Sequence, residues 1–180
     1  MLYEASLVRQ EQERITSPEG EQIGWLLDTR IPMLTGSTAQ EVGSVLAERL
    51  RTRGIDQVAG YGLGAYPVVC ATVSAPGLPV LRGGFIRDGR KGHGRRRLVE
   101  GPLSKAKPIV MVDDILNSGT SAMRALLLLR AEGYEVAGLI ALFEFTWNRG
   151  RRRMEREGLW VDSLLDLNLR EGGGGGSDSA

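Results

Sequence analysis

The run Ile109-Val110-Met111-Val112-Asp113-Asp114-Ile115-Leu116-Asn117-Ser118-Gly119-Thr120-Ser121 restricts the possible folds of this chain more than any other stretch. Pro108–Val112 is an apolar segment of strand length, the pattern of a strand buried on both faces. It ends in two adjacent carboxylates. A polar loop, Asn117–Ser121, then leads into a helix predicted from about Ala122 to Glu132 and closed by Gly133. A buried strand that passes through a short loop into a helix is the unit of a parallel sheet covered by helices. In such sheets ligands bind beyond the carboxyl ends of the strands.

The rest of the chain repeats this alternation. Ser37-Thr38-Ala39-Gln40 reads as a helix start with Ser37 at the cap, and Val42, Val45, Leu46 and Leu50 follow at helical spacing up to a stop at Gly54. Gln57–Gly60 leads into a glycine-rich turn, Gly60–Gly64. A helix is expected to open near Pro67–Val73, and a short strand at Leu78–Leu81. Val136–Phe145 is a second buried strand, Asn148–Glu157 a basic helix and Ser163–Leu169 a last strand. The expected fold class is α/β, a parallel sheet flanked by helices. Residues 1–36 carry two prolines and mixed polarity and read as irregular structure with a short strand near Ile23–Leu27. They form a small N-terminal segment before a core at 37–170. Residues 171–180, with the glycine run Gly172–Gly176, read as a flexible tail.

Composition excludes several function classes. The chain has 23 basic and 22 acidic residues, a net charge of +1, which argues against a nucleic-acid coat or a membrane-surface protein. The one cysteine, Cys70, and the one histidine, His93, exclude a disulfide framework and metal centres built on several of either. Cys70 reads as core packing, as does Trp25. The apolar runs are too short for a membrane span. Met1-Leu2-Tyr3-Glu4 lacks the basic region and apolar stretch of a signal peptide, so the expected compartment is the cytoplasm.

The residues after the central strand suit one kind of ligand. Backbone N–H groups at a helix start, with the hydroxyls of Ser118, Thr120 and Ser121, make an anion site for a monoester phosphate. The carboxylates of Asp113 and Asp114 suit vicinal hydroxyls or a hydrated Mg2+ ion. A phosphate beside vicinal hydroxyls describes a ribose 5-phosphate. An isolated Asp-Asp is often only a turn; the whole thirteen-residue run is more specific. No Gly-Lys-Ser/Thr follows any glycine turn, so a Walker-type loop does not fit. Upstream, Arg82–Pro102 reads as a long glycine-rich basic loop, and such loops inside compact domains usually serve function.

The run Ile109–Ser121 resembles the phosphoribosyl pyrophosphate signature of type I phosphoribosyltransferases. Phe85-Ile86-Arg87-Asp88-Gly89-Arg90-Lys91-Gly92-His93-Gly94, followed by Glu100-Gly101, resembles the catalytic loop of orotate phosphoribosyltransferases. The resemblance implies the type I fold with an N-terminal hood over residues 1–36. It implies a reaction in which a nucleobase displaces pyrophosphate from the ribose C1 with Mg2+ as cofactor. Asp113, Asp114, Asn117, Ser118, Gly119, Thr120 and Ser121 would bind phosphoribosyl pyrophosphate, with Asp113 and Asp114 also facing the metal. Gly60–Ala65 resembles the pyrophosphate turn, with Gly62 and Gly64 where the ligand approaches. Lys91, Arg87 and His93 would neutralise charge on the departing pyrophosphate. A homodimer with the loop completing the partner's site is expected.

The sequence departs from the orotate pattern on the base side. A loop lysine is Asp88, the lysine of the pyrophosphate turn falls at Gly64, and an arginine for the orotate carboxylate falls at Met123. Arg30 and Arg124 are the candidate base contacts in their place. Three readings follow: an orotate enzyme with divergent base contacts, a phosphoribosyltransferase for another base, or a ligand-sensing regulator that keeps the site without turnover. Lys91 and His93 favour an enzyme. Arg95–Arg97 and Arg149–Arg153 read as solvated faces.

Overall fold

The computed structural model describes residues 2–11, 15–16, 22, 24–76, 81–89 and 97–168. Lys91 and His93 lie outside the described residues, as does the tail at 171–180. A sheet of six strands forms the centre. It contains β3 (Gln57–Tyr61), β4 (Arg82–Ile86), β5 (Val99–Glu100), β6 (Ile109–Leu116), β7 (Val136–Phe145) and β8 (Trp160–Leu167). Their order is β5-β4-β3-β6-β7-β8. All pairings are parallel except the short edge strand β5, which runs antiparallel to β4.

Helices cover both faces. On one face α3 (Gly36–Thr52) and α4 (Ala65–Val73) bury Val42, Leu46, Leu50, Val68 and Val69 against Val58, Val110, Val112, Ile140 and Leu142. On the other, α5 (Thr120–Ala131) and α6 (Gly150–Arg156) bury Ala125, Leu126, Leu129 and Met154 against Met111, Leu139 and Ala141. Successive side chains of a strand alternate between faces, so the apolar runs of β6 and β7 feed both cores.

Before α3, a short helix α1 (Leu2–Ser6) precedes an antiparallel pair, β1 (Leu7–Arg9) with β2 (Trp25–Leu27), and a turn of helix, α2 (Arg30–Met33). Of the strand expected near Ile23–Leu27, the described residues show the three of β2, Trp25–Leu27. Among the described residues, no helix is long and apolar enough to cross a membrane.

The structure corrects several expectations. Helix α3 starts at Gly36 after Thr35, so Ser37 lies inside the first turn rather than at the cap. Val45 is 46% exposed, because it sits on the outer side of α3. Cys70 is exposed on α4 rather than core. The strand expected at Leu78–Leu81 lies, but for Leu81, outside the described residues, and β4 at Arg82–Ile86 occupies a stretch read as loop. Its glycines concealed it: a Cβ on Gly83 would come within 2.8 Å of Val69 and 2.9 Å of Val73, so α4 packs directly on its backbone. Strand β6 continues to Leu116, which places Asp113 and Asp114 within the strand and not at its tip. Helix α6 spans Gly150–Arg156 and the last strand Trp160–Leu167, both offset from the expected bounds.

One buried polar residue secures the connection into the central strand. Gln57 is fully buried at the start of β3. Its Nε2 donates to the Ser104 and Lys107 carbonyls at 2.8 and 2.7 Å, and its Oε1 accepts from the Ser104 N–H at 2.9 Å. Replacing it with leucine leaves three backbone groups unpartnered. Gln57→Leu should lower the unfolding free energy by about 2–3 kcal/mol in urea titrations. A change below about 0.5 kcal/mol would show that water or relaxation satisfies those groups equally well.

Candidate active site

The sheet reverses its winding between β3 and β6. From β3 the chain proceeds outward to β4; from β6 it proceeds the other way to β7 and β8. Loops leaving the two strands part there and open a crevice, the usual ligand position in such sheets. Pairing of β3 with β6 involves Val58↔Val110 and Ala59↔Met111, whereas β6 stays paired with β7 through Leu116↔Glu144. Asp113 and Asp114 therefore lie beyond the last rung shared with β3, beside the crevice.

Each carboxylate has its own setting. The Asp113 Oδ1 accepts the Asp114 backbone N–H at 2.9 Å. Burial nonetheless pushes the Asp113 carboxyl well above its ordinary value, and the neighbouring charge of Asp114 adds to the rise. Asp114 accepts a hydrogen bond from Thr29 Oγ1 at 2.7 Å. Thr29 is buried and belongs to the N-terminal segment, so that segment is fastened to the site itself. No signal in the sequence pointed to Thr29. The Gly62–Gly64 turn closes the other side. A Cβ on Gly64 would overlap the Asp114 carboxylate, so a larger residue here would displace that side chain.

The residues expected to hold a phosphate line one small cavity. Asp113, Leu116, Asn117, Ser118, Gly119, Thr120 and Ser121 line a cavity of about 60 Å³, room for one phosphate. Gly119 takes the left-handed conformation (φ 75°) at the start of α5, which turns the chain so that the first N–H groups of the helix face the cavity. The Ser118 and Thr120 hydroxyls lie 3.1 Å apart. Arg153 of α6 reaches the loop as well, with Nη1 at 3.4 Å from Thr120 Oγ1. It belongs to the run that reads as a solvated face, and its side chain is exposed yet touches the loop.

Arg87 follows β4. Its backbone N–H bonds to the Leu98 carbonyl at 2.8 Å. Its side-chain Nε is buried and has no hydrogen-bond partner among the described residues, a state expected of a group kept for an anion. Asp88, the departure from the orotate pattern, accepts from the Tyr61 hydroxyl and pairs with Arg124 at 3.0 Å. Arg124 is thus drawn to the root of the loop. Arg30 forms a two-bonded fork with Asp28, both contacts at 2.7 Å. Both candidate base contacts are engaged by carboxylates of the chain. Trp25 meets Phe145 edge-on at 6.4 Å between centroids, and Phe145 stacks on Trp147 at 4.7 Å.

Among the described residues no three His, Cys, Asp or Glu side chains gather as a metal cage. A pair of carboxylates beside a phosphate cavity nonetheless fits Mg2+, which keeps waters and shares its shell with substrate phosphates.

No family model matches the chain. An orotate phosphoribosyltransferase of Corynebacterium glutamicum strain R is 30% identical over 154 residues, covering 86% of this chain and 83% of that protein. The crystal structure of Mycobacterium tuberculosis H37Rv orotate phosphoribosyltransferase with Fe(III) dicitrate superposes with a TM-score of 0.80 and 28% identity over 92% of each chain. The same enzyme in complex with 5-phospho-α-D-ribosyl 1-diphosphate gives 0.68 and 28% over 78% of this chain and 80% of that one.

The raised Asp113 value has a stability consequence. A carboxyl raised on folding favours the native state fully below its ordinary value, and that contribution is lost as pH rises through the raised value. Asp113→Asn removes the loss. In chelator-treated, ligand-free protein the variant should melt close to the wild type near about pH 4 and above it at neutral pH. A variant that melts lower at neutral pH would contradict the assigned burial.

Proposed function

The chain belongs to the orotate phosphoribosyltransferase family, and from that premise we propose how its own residues carry the reaction. It is a phosphoribosyltransferase that joins a nucleobase, orotate or a related base, to phosphoribosyl pyrophosphate with release of pyrophosphate, a step of nucleotide biosynthesis. The observation that carries the assignment of residues is the pair Asp113–Asp114 beside the crevice, with Asp113 lining the same cavity as the loop at 117–121.

The 5-phosphate rests in the loop on the α5 N–H groups and the Ser118, Thr120 and Ser121 hydroxyls. Asn117 and Gly119 shape that loop. Asp113 and Asp114 accept the ribose hydroxyls. Their fixed positions, set by β7 on one side and Thr29 on the other, hold C1 toward the base. The Gly62–Gly64 turn lets the pyrophosphate lie against backbone. The transition state resembles an oxocarbenium ion, and negative charge grows on the departing group. Arg87, Lys91 and His93 meet that charge, and the unpartnered Nε supports the role of Arg87. Asp113 and Asp114 would hold Mg2+ together with the substrate, and the ion would supply further charge neutralisation on the pyrophosphate.

For the base, Arg30 is the better placed cation. It follows Thr29, which bonds Asp114, and the charges of Asp28 first and then Asp114 hold its guanidinium above the ordinary value. Its fork with Asp28 is half exposed, and exposed pairs are worth about 0–1 kcal/mol, so an incoming carboxylate can replace Asp28. Arg124 is the second candidate. The working units are a hood at 1–36, a core at 37–170 and a tail at 171–180, in a cytoplasmic homodimer. An apolar groove lined by Leu34, Leu63, Tyr66 and Cys70 next to the pyrophosphate turn supports self-association there.

Pyrophosphate release measured with a panel of bases should be fastest with orotate. Arg30→Ala should raise the orotate KM about tenfold or more with a smaller change in kcat. Release with no base at all would overturn the enzymatic reading, and normal kinetics in both Arg30→Ala and Arg124→Ala would remove these base contacts.

Loop sharing is tested by complementation. Asp113→Asn/Asp114→Asn subunits mixed with Lys91→Ala subunits should recover about a quarter of wild-type activity, since random exchange makes half the dimers mixed and one site in each is intact. No recovery after demonstrated exchange would place Lys91 in its own subunit's site.

A further inference from the structure

The arginines of α6 divide into two sets. Arg151 turns inward. Its guanidinium holds the buried Glu144 through Nε at 2.8 Å and through a second contact, donates to the Val161 carbonyl at 2.8 Å, and has Glu155 at 3.9 Å. Arg149, Arg152, Arg153 and Arg156 follow at spacings of three, one and three, which sets them along one helical face. All four are exposed. Among the described residues none of the four forms an ion pair, and the carboxylates nearest in sequence are engaged elsewhere: Glu155 faces Arg151, and Glu157 pairs with Arg130 at 2.7 Å.

These four side chains, with Trp147, Asn148 and Ser118, line a basin of about 760 Å³. The basin is continuous with the phosphate loop. Ser118 lines both cavities, and Arg153 bridges them through its contact with Thr120. The loop's own cavity has room for one phosphate, yet the space beyond it is larger by an order of magnitude and lined by guanidinium groups. Phosphoribosyl pyrophosphate does not account for this. Its 5-phosphate ends in the loop, and its pyrophosphate lies on the opposite side of the sugar, toward Gly62–Gly64.

We infer that the basin takes the second and third phosphates of a nucleoside 5′-triphosphate whose sugar and first phosphate occupy the phosphoribosyl site. The inference rests on the reading of that site given above. A chain of phosphates extends the 5′ substituent outward through the side of the loop marked by Ser118 and Arg153. Guanidinium forks match phosphate oxygens in pairs. Four like charges along one face repel each other, and a polyphosphate relieves that repulsion. The nucleotide excludes phosphoribosyl pyrophosphate because both need the loop and the Asp113–Asp114 pair. A nucleoside triphosphate thus acts as a competitive inhibitor of the enzyme that supplies nucleoside monophosphates.

The test compares uridine 5′-monophosphate, 5′-diphosphate and 5′-triphosphate by calorimetry on the full chain without divalent cations, at low and moderate salt. Affinity should rise about tenfold with each added phosphate, and the rise should shrink with salt. In Arg149→Ala/Arg152→Ala/Arg156→Ala the monophosphate should bind as in the wild type and the gain from added phosphates should vanish. The corresponding triple lysine variant should keep part of it. A triphosphate no tighter than the monophosphate in wild type, or a gain that persists in the alanine variant, overturns the inference. Tight binding of a single-stranded RNA that the alanine variant loses, with no triphosphate gain, assigns the basin to RNA instead. Failure of the monophosphate itself to bind would strike the underlying site, and the inference with it.

Discussion

Strand β6 keeps one neighbour after losing the other. Past Met111 its rungs with β3 stop, while its ladder with β7 continues for five more residues to Leu116. That one-sided pairing holds the backbone of Asp113 and Asp114 in place and leaves their β3 side unpaired. A free loop would leave them mobile, and a strand paired on both sides would leave no crevice beside them. The glycine turn after β3, the Asn117–Ser121 loop after β6 and Arg87 after β4 all leave the same edge of the sheet because the three strands run parallel.

Much of the architecture was legible wherever side chains carried the pattern. Val136–Phe145 shows its bounds because ten largely apolar residues end in polar ones, and α5 shows its existence because a polar loop precedes it and Gly133 follows, though it starts two residues before the expected Ala122. Strand β4 was hidden because its packing is done by backbone: Gly83 and Gly84 have no side chains to show a period. The N-terminal segment was hidden for another reason. Its order comes from contacts with distant residues, such as Thr29 with Asp114 and Trp25 with Phe145, and local pattern cannot report those. The fold class follows from motifs. The engagement of Arg30 by Asp28 and of Arg124 by Asp88 does not, because it is set by spatial pairing.

Pairing also explains the departures from the orotate pattern. Asp88 in place of a lysine reverses a charge at the root of the loop, and Arg124 and Tyr61 absorb the reversal. The arginines of α6 look uniform as a sequence run and are not uniform in space. Arg151 is a structural anchor on a buried glutamate, while its neighbours face the phosphate loop and solvent. A charge run read as one feature can therefore contain two functions set by helical phase.

The hydrogen bond between Thr29 and Asp114 joins residues 85 positions apart. Closing so long a segment is entropically unfavourable until the strands between them have formed. During synthesis β3 and β4 leave the ribosome well before β6, and the N-terminal segment must wait unfastened for the carboxylate it will hold. Ligand affinity then emerges as one of the last events of maturation. A truncated or stalled chain, even one with much of its sheet in place, withholds no phosphoribosyl pyrophosphate from the finished molecules around it.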